Sequence, residues 1–174
     1  MATAIPLVIR NKFVGQVMKG SIVINSVLAF LALQPFEPFI DYSTMLFELQ
    51  IQSLVAPALI SLLLPLGIKK EMLLKGEDGH IWRSGSLTAR FVSLVPTNKV
   101  LACLFWTLLT FIFFTLPAIG GLQLLGVEQM TGWQYFFFKM TQAWIFCTSI
   151  SYLICSVAVT RRETAGQQRA RVSN

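Results

Sequence analysis

Glu48 and Lys139 carry opposite charge, sit at the ends of two apolar runs, and become equivalent when the chain's second half is laid on the first at an offset of 91. Side by side at a membrane edge they would form an ion pair, fixing the register of two helices or guarding the mouth of a polar path. Gln50, Gln52 and Gln142 lie just below and would extend such a mouth. Left apart, each charge would reach the outer headgroups on its own stem. A second group forms a stripe. Ser53, Pro57, Ser61 and Pro65 repeat every four residues, so they drift slowly around one helix face. Each proline removes a backbone donor, depriving the Ser53 and Ser61 carbonyls of their usual partners and favouring a bend. At the same offset, Thr148, Tyr152 and Ser156 form the corresponding stripe. Two such stripes facing one another would serve as a packing seam or as the lining of a path for a small solute or lipid.

Other chemistries find no footing. The chain has one histidine, His80, so haem held by two histidines and the histidine-rich di-iron sites of membrane oxygenases are excluded within it. Glu77, Asp78 and His80 surround a glycine turn, a composition that reads as a solvated loop rather than a metal site. Cys103, Cys147 and Cys155 fall inside apolar runs without CxxC spacing and read as small buried hydrophobes. Neither a phosphate-cradling glycine loop nor a nucleophile elbow occurs. No charged residue lies near the middle of any apolar run, which leaves no visible proton relay. No catalytic, cofactor-binding or metal-binding residue is assigned, and the expectation is a protein that is not an enzyme.

The elements that must position these residues follow from composition. The chain is 55% hydrophobic and 13% charged, against roughly 25% charged in soluble domains. Its apolar runs cover about residues 14–33, 49–68, 100–125 and 140–159, each near the ~20 residues that cross a hydrocarbon core. The fold expected is an all-α integral membrane protein of four transmembrane helices, built as two helical hairpins in a small bundle. The first run is expected to be a retained anchor, since no small-residue cleavage site follows it.

Charge orients the bundle. Thirteen of fourteen basic residues lie at the N-terminus (Arg10, Lys12, Lys19), in the middle (Lys69, Lys70, Lys75, Arg83, Arg90, Lys99) or in the tail (Arg161, Arg162, Arg169, Arg171), leaving only Lys139. With four spans all three segments share one face, carrying four acidic residues and a net charge of +9, against −3 opposite. The positive-inside rule makes the basic face cytoplasmic. Both termini are then inside a bacterial-type inner (plasma) membrane, and the basicity serves anionic lipid rather than nucleic acid. Aromatic residues such as Phe36, Phe39, Trp133 and Tyr135 crowd the two outer connections as an interfacial belt.

In the middle segment, Leu87, Phe91, Leu94 and Val95 recur at helical spacing beside Arg83 and Arg90, predicting a short amphipathic cytoplasmic helix. Pro96 ends it, and Thr97 or Asn98 would cap the third span. Residues 1–162 form one membrane domain, and 163–174 form a polar tail expected to be disordered. Both halves share a pattern of basic start, span, acidic aromatic turn, span and basic end, which makes 11–70 and 98–161 possible repeats. The function expected is that of an accessory or interaction subunit of a membrane complex. The alternative is a small transporter or efflux component working as an oligomer. Expected partners are membrane lipid and either further copies of the chain or a larger membrane complex.

Overall fold

Four helices long and apolar enough to cross a membrane run through the computed structural model, which describes residues 5–32, 34–77, 79–82 and 85–160. Helix α1 (Ile5–Leu31) leads through a single turn at Gln34–Phe36 into a short strand, β1 (Ile40–Asp41), and then α2 (Tyr42–Leu74). A short helix, α3 (Leu87–Leu94), precedes the third span. That span comprises α4 (Lys99–Thr110), a π-helical turn at Phe111–Thr115 and α5 (Leu116–Leu124). Strand β2 (Gln129–Met130) then leads into α6 (Gly132–Ala158). The tail 163–174 lies outside the described residues.

All four spans match the apolar runs, but α1, α2 and α6 extend further. The second apolar run covers 49–68, whereas α2 has 33 residues, a length of about 50 Å against a ~30 Å hydrocarbon core. Hydropathy marks where lipid begins and ends. The backbone ladder continues past both edges, through Lys69, Lys70 and Glu71 at the basic end of the bundle, the one expected to be inner.

The two prolines of α2 leave it a single helix. In the third span, Pro117 lacks the N–H that an α-helical register would give to Phe113, and the preceding Leu116 N–H donates instead to Phe111, five residues back. Thr110 and Thr115, which flank this wider turn, are buried, and the turn packs against α2.

Helix α6 is the least apolar of the four spans and the most buried. In a lipid-solvated bundle the polar and small residues belong inside. It packs chiefly against α1 and α2, while α2 also packs against α4. The first helix of each half therefore leans on the second helix of the other half. The main core joins Ile9 of α1, Ile68 of α2, Trp106 of α4, and Phe146, Ile150 and Ile154 of α6.

The inner connections are tied down by hydrogen bonds. The Ser86 hydroxyl accepts from Ala89 N–H and caps α3, and the Asn98 side chain accepts from Val100 and Leu101 and caps α4. His80 N–H donates to Val159 O at 2.7 Å and Trp82 Nε1–H to Thr160 Oγ1 at 2.8 Å, fixing the middle segment to the end of α6.

Candidate functional site

The outer ends of α2 and α6 are set level by a small antiparallel ribbon. Ile40 pairs with Met130 and Asp41 with Gln129, and Tyr42 N–H donates to Glu128 O at 2.9 Å. Thr131 and Gln134 form a reciprocal capping box at the start of α6. Two turns deeper, Lys139 Nζ donates to Glu48 Oε2. The same oxygen accepts from Tyr135 Oη at 2.7 Å, and Glu48 Oε1 accepts from Gln34 Nε2. Lys139 Nζ also donates to Gln34 Oε1 at 3.2 Å, which closes the ring.

Both charges are mostly withdrawn from solvent, at 15% exposure for Lys139 and 23% for Glu48. The carboxylate is met by an ammonium, a phenol and an amide, and the ammonium lies 5.6 Å from the Tyr135 ring centroid. Such a charge-assisted ring binds α2, α6 and the first outer connection into one unit. Gln34 is held in position by Gly132. A Cβ at Gly132 would lie 2.2 Å from the Gln34 carbonyl oxygen, and its N–H donates to Glu37 O at 3.1 Å.

Sequence reasoning singled out Glu48 and Lys139 but not Gln34, Tyr135 or Gly132. Tyr135 falls within the aromatic belt of the outer connection, although its place four residues before Lys139 puts both on one helix face. Gln34 offered only a polar side chain closing the first apolar run. Nothing in the local sequence marks Gly132 as a contact point.

Of the first stripe, Ser61 and Pro65 line a cavity opposite Ile154 and Val157 of α6. Ser53 and Pro57 are buried, and Ser61 and Pro65 half-buried. The Ser53 hydroxyl donates to Gln50 O at 2.7 Å and that of Ser61 to Ala58 O at 3.0 Å, so both turn back on their own helix. Ser156 is buried and donates to Tyr152 O at 2.8 Å. Tyr152 is 44% exposed, with its ring centroid 4.5 Å from the Arg10 guanidinium of α1. The Tyr152 face of α6 turns towards α1, whereas Ile154 and Val157 of α6 reach the cavity shared with α2 and α4. Gln52 Nε2, Gln142 Oε1, Thr148 Oγ1 and Ser151 Oγ are buried without a hydrogen-bond partner among the described residues.

That cavity has a volume of about 840 Å³ and lies at the inner end of the bundle. Ser61, Pro65 and Lys69 of α2 line it opposite Lys99 and Trp106 of α4, with Ile154 of α6. A shallower groove of about 520 Å³ runs between α1 and α2 past Ser21, Asn25 and Cys147. At the same inner end, Lys12 and Lys75 both reach Glu71, at 3.0 and 3.4 Å. Asp78 of the glycine turn lies outside the described residues. Among those described, no three His, Cys, Asp or Glu side chains gather as metal ligands. No family model matches the chain, no curated protein matches its sequence and no solved structure matches its fold.

Proposed function

We propose that this multi-pass membrane protein is a non-enzymatic accessory or interaction subunit of a membrane complex, or of an assembly of its own copies. The ring around Glu48 carries the reading. The residues best able to do chemistry, Glu48, Lys139 and Tyr135, contact one another and lock helices together. Such a lock gives a stiff scaffold that presents apolar faces, among them the exposed ridge of Leu101, Leu104, Leu108 and Ile112 on the third span.

The proposed setting is a bacterial-type inner membrane with both termini cytoplasmic, supported by the basic residues at one end. Exposed Leu87 and Leu94 on α3 suit an amphipathic helix lying against the inner leaflet. The reciprocal packing of α1 on α6 and of α4 on α2 supports two related helical hairpins. No nucleic acid is proposed as a partner.

Photo-crosslinking in intact membranes tests the accessory role. With a benzophenone residue at Leu104, Leu108 or Ile112, the expected product is a discrete protein adduct, either to another copy or to a larger subunit. Lipid adducts alone at every exposed position of the four spans would overturn the reading.

One observation favours the second reading, a small transporter or efflux component working as an oligomer. The cavity at Ser61 lies beneath an outer end closed by the Glu48 ring, the arrangement of a path open on one side. Ethidium efflux from proteoliposomes that Ser61→Leu abolishes would support it, and no efflux above empty liposomes would count against it.

A further inference from the structure

We propose that the inner cavity between α2, α4 and α6 is a binding site for one anionic phospholipid, with the headgroup phosphate met by Lys69 and Lys99. The chemistry of the lining carries the assignment. Lys12, Lys75 and Lys139 all have carboxylate partners, in Glu71 and Glu48. Lys69 and Lys99 have no ion-pair partner among the described residues, and both line this one cavity. Among the described residues, no acidic side chain lines it with them. Two ammonium groups over an apolar floor match a ligand with a negative head and a hydrocarbon body.

Shape supports the same class. The backbone between α3 and α4 turns at Pro96, which together with Thr97 forms part of the wall, and Trp106 forms another part. A volume of about 840 Å³ lies in the range of small-molecule sites. It holds a headgroup and part of an acyl chain rather than a whole lipid. The remainder can continue into the bilayer along Leu62 and Leu66, which line the cavity and are exposed on the outside of α2. An ordinary annular lipid meets one helix face, whereas this one would be held by three elements. The site depends on the membrane setting alone and stands whether or not the accessory role does.

Native mass spectrometry of the purified protein in mild detergent, titrated with defined lipids, tests the proposal. Wild-type protein should retain phosphatidylglycerol in preference to phosphatidylcholine at a stoichiometry of one. Lys69→Gln with Lys99→Gln should weaken phosphatidylglycerol retention about thirtyfold, the scale expected for losing two surface cations. Lys19→Gln with Lys70→Gln removes the same charge away from the cavity and should leave retention unchanged. Equal loss in the two double variants, or none in the first, would overturn the site. Glycerol 3-phosphate, which has the headgroup chemistry without chains, should compete poorly. Competition as strong as that of the phospholipid would show a plain anion site and overturn the lipid assignment.

Discussion

The two ends of the bundle use the same side-chain chemistry to different effect. At the outer end Lys139 and Glu48 are largely withdrawn from water, and Tyr135 and Gln34 complete their hydrogen bonding. At the inner end Glu71 is as well covered as Glu48, at 17% exposure, but Lys12 and Lys75, which meet it, are 52% and 44% exposed. A lysine–glutamate pair stabilises little where water and salt can screen it, and much more where its loss strands a buried charge. The outer end is accordingly a closed joint. The inner end keeps a cavity lined by Lys69 and Lys99, which have no ion-pair partner among the described residues, features suited to contact with something outside the chain.

Mutations can break this contrast in order of size. Gly132→Ala should be the most damaging, at about 3 kcal/mol in detergent unfolding, because the new methyl meets the Gln34 backbone rather than a side chain that can swing away. Next, Glu48→Ala should cost about 2 kcal/mol by leaving Lys139 half-buried without its acceptor. A double-mutant cycle with Lys139→Met should give coupling of about 1 kcal/mol or more. Additive effects would show that the ring is not a cooperative unit. Smallest, Glu71→Gln should leave the unfolding midpoint where it is, since both its lysine partners are well solvated. A midpoint drop as large as that from Glu48→Ala would erase the distinction between the two ends.

The spans are legible in the sequence because lipid imposes composition directly. Their full extents are not, because a helix such as α2 runs on through Lys69 and Glu71 after its apolar stretch has ended. Glu48 and Lys139 could be set side by side from an offset of 91, and the structure places them in contact. The other ring members are harder to find. Gln34 reaches Glu48 through a turn whose path depends on Gly132, and no periodicity describes that path. The surroundings of Tyr152 are hidden for a related reason. An offset aligns positions along two helices but says nothing of how each is rotated, and Tyr152 turns towards Arg10 of α1. Hydropathy is also silent about which apolar helix neighbours which.

The reciprocal packing of the halves has a consequence for biosynthesis. The principal neighbour of α1 is α6, made after the other three spans, and that of α2 outside its own half is α4. The first two spans are therefore threaded into the bilayer before most of their final contacts exist, and must wait there as separate apolar rods. Of these four spans α6 arrives last, and only its packing beside α1 and α2 brings Lys139 to Glu48.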